Sequence, residues 1–294
     1  MLTLPAKSIL ASRPSPEWFG TDYNMNLYRG CCHGCIYCDS RSDCYGNTEF
    51  DTVKAKADAI ATLRGELRRR KQPGVVATGS MSDPYNPHEA RELLTRQALL
   101  LLAEHGFGVA IATKSDLVTR DIDVLQRIAA RAPVIVKVTI TAADDALCAK
   151  IEPRVAPTSR RLEALRTLSN AGIFCGVLMM PVLPFVTDAP ENLRAIVAQV
   201  AQAGARFLYP GLGVTTRDGQ RAHYYTALDR LFPGVKERHA RAYGTAYHCP
   251  ARDADALWAM VSAACAEHGL LCRMEEIVAA YKAPYAREQL TMFL

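Results

Sequence analysis

No stretch of this chain is apolar for long enough to span a bilayer. Its opening residues, MLTLPAKSILASRPSPEW, lack the basic start and long apolar core of a secretory signal. The expectation is therefore a cytoplasmic protein, without a membrane partner, whose thiols stay reduced. There is no internal repeat, no low-complexity segment and no linker that demands independent domains. Charge of one sign is also scarce. An excess of +5 over 294 residues establishes no nucleic-acid partner, although it is compatible with an anionic one. With 49% apolar and 22% charged residues, the composition is that of a soluble globular chain. Cysteine, by contrast, is plentiful. Six of the ten (Cys44, Cys148, Cys175, Cys249, Cys265, Cys272) are scattered singly, most in apolar surroundings such as GIFCGVLMM. In so long a chain that scatter reads as small core residues, not as a disulfide scaffold.

Apolar, β-rich runs alternate with helical periodicity from about residue 23 to 210. Strands are expected at 23–29, 74–79, 107–113, 133–140, 173–180 and 205–211, with helical patterns at 52–71, 88–105, 118–131, 158–171 and 190–203. Unbroken apolar strands separated by helices mean a parallel sheet covered by helices. Six units are too few to close an eight-stranded barrel. The expected fold is α/β, a partial (β/α)6 TIM-type barrel over residues 1–211, followed by a helical C-terminal extension over 212–294. Polar clusters fall after successive strands: the cysteine loop, SMSDPYNPHE, TKSD, TITAADD and PVLPFVTD. In such sheets the chemistry belongs at the C-terminal strand ends, so one face collects the unusual residues.

The cysteine loop, YRGCCHGCIYCDSRS, sets Cys31, Cys35 and Cys38 in a C-x3-C-x2-C spacing that Cys32 interrupts. Structural zinc prefers four ligands, usually in two close pairs, and no C-x2-C or H-x3-H partner follows downstream. Three thiolates from one loop suit a [4Fe–4S] cluster with one iron left open. A zinc site completed by Cys32, Cys44 or His33, or a redox-inert cysteine cluster, is the alternative. Otherwise Cys32 and His33 are expected to be bystanders.

This spacing, with an aromatic residue before the last cysteine, resembles the radical S-adenosylmethionine (SAM) superfamily. The resemblance implies that the open iron chelates the amino and carboxylate groups of SAM. An electron from the cluster then cleaves SAM to a 5′-deoxyadenosyl radical, which abstracts a hydrogen atom. Tyr37 would lie against the adenine. Further motifs, GSMSDPYNPHE, ATKSDLVTRDIDVL, KVTITAADD, IEPRVAPTSRRLEALRTLSNAGI and MMPVLPFVTD, look like the spore photoproduct lyase-like branch, also labelled DNA repair photolyase-like, over about residues 20–215. That resemblance implies SAM contacts from Ser82 and Asp83 at the amino end, and from Lys114 and Thr139 at the carboxylate. On the residues alone, Asp83 before Pro84 is a good turn former and Thr139 an ordinary strand residue. Glu152 and Arg154 belong to the branch pattern, either as an ion pair or as pocket lining.

One departure bears on mechanism. Spore photoproduct lyase proper carries a cysteine two residues before its Ser-Asp pair, which returns a hydrogen atom to the substrate radical. Ser80 stands there, and a serine O–H bond is too strong for that task. Either Tyr85, Cys44 or Tyr45 donates instead, or the reaction differs.

The basic run LRGELRRRKQ (63–72) reads as a solvated helix end or as a DNA-binding patch. RAHYYTALDRLFPG and ERHARAYGTAYH interleave Arg, His and Tyr, a mixture that can stack on bases or pack as amphipathic helices. Near the C-terminus, Gln289 to Phe293 resemble the peptide by which bacterial replication and repair proteins dock on the sliding clamp. The functional expectation is radical SAM chemistry on DNA or a nucleotide, with a flavodoxin- or ferredoxin-type reductant. The alternatives are the same chemistry on a peptide, protein or small metabolite, and a non-enzymatic, metal-stabilised nucleic-acid adaptor.

Overall fold

The computed structural model describes residues 1–12, 17–46 and 49–286. Six parallel strands lie side by side in chain order: β1 (Tyr23–Met25), β2 (Val75–Thr78), β3 (Gly108–Thr113), β4 (Val134–Thr139), β5 (Cys175–Met179) and β6 (Phe207–Pro210). The strand Leu10–Ser12 adds antiparallel outside β1, so the sheet has two open edges. Helices α1 (Ala59–Arg69), α2 (Leu94–Glu104), α3 (Ile122–Ala129), α4 (Thr158–Asn170) and α5 (Pro190–Gln202) connect successive strands. The expected partial (β/α)6 barrel is the fold.

The two-residue period of the strands sorts the side chains. On β4, Val134, Val136 and Val138 face the helix layer and join the main core. The alternate residues turn inward: Ile135 joins a second apolar cluster, and Lys137 and Thr139 above it line a cavity. Neighbouring strands follow the same scheme, with Val109 and Ile111 on the helix side, Ala110 in the inner cluster and Ala112 at the cavity. The barrel interior is thus apolar at the N-terminal strand ends and polar at the C-terminal ends.

Three expected elements divide. The run 23–29 breaks after Met25, and Tyr28–Arg29 pairs antiparallel with Lys54–Lys56, which itself pairs parallel with Leu2–Leu4. That separate sheet takes the first turn of the helix expected over 52–71. In the pattern at 88–105, Leu93 adopts φ +55° and splits off the short helix Glu89–Glu92. The buried Glu89 carboxylate then accepts from the Thr95 and Arg96 amides at 3.0 and 3.3 Å, capping α2. The pattern at 118–131 begins as a 3₁₀ turn, Asp116–Asp121, capped by Ser115.

Beyond β6 come helices α6 (Gln220–Leu231), α7 (Val235–Tyr243), α8 (Ala254–Glu267) and α9 (Met274–Lys282). They are accompanied by a two-stranded antiparallel ribbon, Gly213–Thr215 with His248–Pro250, which the helical reading of 212–294 did not include. Residues Tyr224, Ala227 and Leu228 of α6 pack against Cys35, Ile36 and Tyr37. Ile277 and Tyr281 of α9 join Phe19 and Phe207 in the inner cluster. Arg70, at the end of the basic run, donates to Leu10 O at 3.2 Å and lies over the Tyr23 ring at 5.1 Å, so it ties α1 to the sheet edge.

Candidate functional site

Cys31, Cys35 and Cys38 all line one cavity of 330 Å³ at the C-terminal strand ends. Cys32, between them in sequence, packs instead against the main core. The loop is held by its backbone. Cys31 N donates to Phe50 O at 2.8 Å, Ile36 N to Ile151 O at 3.0 Å, and Ser82 Oγ to Gly30 O at 2.6 Å. Gly30 is at φ +81°, and a Cβ there would stand 2.4 Å from Thr52 O, so the residue must be glycine for the loop to start this way. Burial pushes the Cys35 and Cys38 thiols up, and Lys114 pulls both back. Among the described residues, no three His, Cys, Asp or Glu donors are grouped as a mononuclear metal site requires.

Ser82, Asp83, Lys114 and Thr139 line the same cavity. Asp83 is fully engaged. Its Oδ1 accepts from Thr113 Oγ1 at 2.7 Å and from Tyr85 N at 2.9 Å, and its Oδ2 from Lys114 N at 2.8 Å. It thereby ties the loops after β2 and β3 together. His33 also lines the cavity, with Nδ1 3.6 Å from Asp83 Oδ2. Burial lowers the pKa of this imidazole, but the hydrogen bond with Cys31 and the Asp83 charge outweigh it, leaving the pKa raised.

Beneath the loop, the Tyr37 hydroxyl donates to Glu152 Oε1, whose other oxygen meets Arg161 Nη2 at 2.6 Å. Arg161 is completely buried and also donates to Thr139 O at 2.8 Å and Ala156 O at 2.6 Å. Lys114 Nζ lies 5.8 Å from the Tyr37 ring centroid. Burial lowers the Lys114 pKa, but Cys35, Glu152 and Asp83 outweigh it, so the side chain remains a cation in neutral solution.

The radical SAM superfamily model matches residues 25–196, more than half of the chain. The chain belongs to the radical SAM superfamily. An uncharacterised protein of Mycobacterium tuberculosis is 33% identical over 251 residues, covering 83% of this chain and 74% of its own. Another from Methanocaldococcus jannaschii is 30% identical over 171 residues, covering 58% and 63%. Among solved structures, a spore photoproduct lyase variant with bound AdoMet and dinucleoside spore photoproduct superposes with a TM-score of 0.65 at 15% identity, covering 92% of this chain and 80% of that one. A radical SAM methyltransferase from Kitasatospora setae, with tryptophan substrate and a SAM analogue bound, gives 0.55 at 10% identity, covering 82% and 51%. At these identities the likeness is one of fold.

As a radical SAM protein the chain is an enzyme, which sets aside the non-enzymatic adaptor. Superfamily members bind a [4Fe–4S] cluster and SAM, and these are its cofactors. The donor set fits. Cys31, Cys35 and Cys38 line one cavity beside Asp83 and Lys114, and Cys32 does not line it. Other expected residues stand elsewhere. Tyr85 is buried with its hydroxyl 3.1 Å from Asp121 Oδ2, and Cys44 is exposed, 3.4 Å from Arg217 Nη1; neither lines the cavity. Tyr45 hydrogen-bonds Asp39 at 3.1 Å. Arg154 does not pair with Glu152: it reaches Asp51 at 3.4 Å, and Arg161, from the next helix, takes the acid. Ser80 lies at the cavity with Oγ 3.4 Å from Asn24 Oδ1. Sequence reasoning missed Arg161 and Lys137, and gave His33 only as a zinc ligand or a bystander, whereas it lines the cavity. Lys137 is a buried lysine of the cavity wall, 4.4 Å from the Phe19 ring centroid, whose signal was a lone cation inside an apolar strand. Among the described residues no helix is long and apolar enough to cross a membrane.

Proposed function

We propose that Cys31, Cys35 and Cys38 hold the cluster, that SAM lies against Tyr37, Ser82, Asp83, Lys114 and Thr139, and that the enzyme acts on DNA or a nucleotide. The observation that carries the reading is that Cys31, Cys35 and Cys38 line one cavity with Asp83 and Lys114, while Cys32 does not and packs, half-buried, against the main core. A cluster also asks less of its ligands than zinc does. Each thiolate serves a different iron, so the three need not converge on one point. When bound, the reduced cluster and SAM supply a 5′-deoxyadenosyl radical for hydrogen-atom abstraction.

The remaining work belongs to the chain. Lys114 offers a compact cation to a carboxylate. Its backbone is fixed by Asp83, and the hydroxyl of Tyr37, which is buried and does not line the cavity, is held by Glu152. Nucleic acid is favoured by the surface where the segment after β6 meets the cysteine loop. Arg217 lies over the rings of Tyr45 and Tyr247, 5.7 and 4.8 Å from their centroids, beside the Asp39–Arg41 turn that follows Cys38. Such Arg and Tyr sets stack on bases. We assign the radical chemistry to residues 1–211. Within the extension that we assign to 212–294, Gln220 braces the cysteine loop, its Nε2 donating to Tyr37 O at 3.0 Å. We also infer a flavodoxin- or ferredoxin-type reductant and a cytoplasmic setting, which the ten free thiols suit.

The test is anaerobic reconstitution. The native protein and Cys32→Ala are expected to hold about four irons and four sulfides, and alanine at Cys31, Cys35 or Cys38 to hold none. Retention in any of those three sinks the assignment. Deuterium passing into deoxyadenosine from a labelled oligonucleotide, and not from labelled peptides, supports the substrate class; the reverse result overturns it. The clamp-like Gln289–Phe293 lies outside the described residues. Equal clamp binding with and without the last six residues would remove that partner.

A further inference from the structure

A second cavity, of 170 Å³, adjoins the main one, and Ser40, Phe50 and Met81 line both. Its other walls bring in Arg29, Tyr45 and Lys56, and none of its described lining residues is acidic. The small sheet that leaves the barrel explains the cations. Tyr28 pairs with Ala55 and Arg29 with Lys54, so the two-residue period puts Arg29, Lys54 and Lys56 on one face and the buried Tyr28 and Ala55 on the other. Like charges at facing positions repel, and Glu49 offsets only Lys54. Arg29 Nη2 donates to Gly46 O at 2.7 Å and Lys56 Nζ to Ser8 O at 3.4 Å, which leaves both cations on main-chain oxygens. Burial lowers the Lys56 pKa; Glu66, which raises it, is itself taken by the Ser8 hydroxyl at 2.7 Å and the Leu10 amide at 2.8 Å. An anion in the cavity supplies the counter-charge that this face lacks.

We propose that this cavity is a subsite for the nucleotide next to the reacting one, with its phosphate on Arg29 and Lys56 and its base against Tyr45 and Phe50. The inference rests on the reading of the substrate as DNA or a nucleotide, and narrows it to a strand. A lone nucleoside in the main cavity would leave these cations unmet, whereas a phosphodiester carries the charge that Arg and Lys take. Tyr45 belongs both to this cavity and to the outer set under Arg217, and Phe50 both to this cavity and to the main one. The three places therefore form one continuous track from the surface to the cysteines.

The experiment measures anisotropy of a short, fluorescent single-stranded oligodeoxynucleotide over a salt series, with an abasic strand of the same length and an acidic peptide of the same charge beside it. All proteins are reconstituted anaerobically, and their iron and SAM affinity are measured first. Arg29→Gln and Lys56→Gln are expected to keep both, to bind the strand several-fold more weakly, and each to make the fall of log affinity with log salt shallower by about 0.7. Arg29→Lys and Lys56→Arg, which keep the charge, are expected to keep the native slope. The native protein is expected to prefer the strand with bases by at least about fivefold, the worth of one stacked base, and Tyr45→Leu to lose part of that preference. A native slope in both glutamine variants, or an equal loss in the charge-keeping pair, overturns the phosphate contacts. Equal binding of the abasic strand overturns the base contact, and tighter binding of the acidic peptide overturns the ligand class. Failure of the underlying reading looks different: a native protein that binds no strand at all removes the nucleic-acid substrate and the subsite with it.

Discussion

Arg161 joins three separate parts of the site. Its guanidinium is fully buried and joins Glu152, the Thr139 carbonyl and the Ala156 carbonyl, which links α4 to the strand end and to the support of Tyr37. Removing one member of a buried pair leaves the other uncompensated, at about 3–5 kcal/mol. Arg161→Met is expected to lose that much in urea unfolding, and Arg161→Met/Glu152→Gln to regain part of it. Burial raises the Glu152 pKa, but Arg161 and Lys114 outweigh it and hold the carboxyl below its ordinary value of 4.5. Its contribution is therefore complete above about pH 4.5 and is lost as the pH falls through the lower folded value. Unfolding midpoints measured downward from pH 6 should fall less steeply in the double variant. Lys114→Met should leave iron content intact and weaken SAM binding by about ten- to a hundredfold, the worth of a hydrogen bond to a charged group. Unchanged affinity by equilibrium binding would remove the residue from the site.

At the scale of elements, the strand ends are set by close backbone approach. Gly79 follows β2 at φ +96°, and a Cβ there would stand 2.0 Å from Ala112 O of β3. Gly30 makes the equivalent approach to Thr52 O at the head of the cysteine loop. Gly30→Ala is expected to cost about 1–3 kcal/mol through the strained backbone conformation alone, and to lower the iron bound on reconstitution. Native iron content in that variant would mean that the loop start is adjustable. The central strands were legible because β2 to β5 are largely apolar runs, Lys137 apart, between amphipathic helices, a pattern that depends on near neighbours. The division of 23–29 was not, because Tyr28 leaves the main sheet to pair with Ala55, a partner outside any local window. Within the site the same limit applied. The cysteine spacing is local and was legible. The partner of Glu152 was sought in the adjacent Arg154 but comes from the following helix, and His33 acquires its neighbour only when the loop after β2 folds beside it.

At the scale of the whole molecule, the open barrel is filled from below by segments distant in sequence. Tyr281 of α9 donates to Phe19 O at 2.7 Å, and Ile277 is completely buried with Phe19 and Phe207. Ile277→Ala should cost about 2–5 kcal/mol and lower the melting temperature without changing iron stoichiometry, since the floor lies under the cavity and not in it. Equal losses of stability and iron would show the two halves of the barrel to be one cooperative unit. The hydrogen bonds that hold the cysteine loop, Cys31 N to Phe50 O, Ile36 N to Ile151 O and the Ser82 hydroxyl to Gly30 O, involve no thiol at all. In a zinc finger the metal supplies the folding energy, and the stripped chain is unfolded. Here the anchors of the loop are main-chain and hydroxyl groups, so loading is expected to leave the surrounding fold unchanged. The iron-free polypeptide is accordingly expected to give the far-UV circular dichroism of the loaded one.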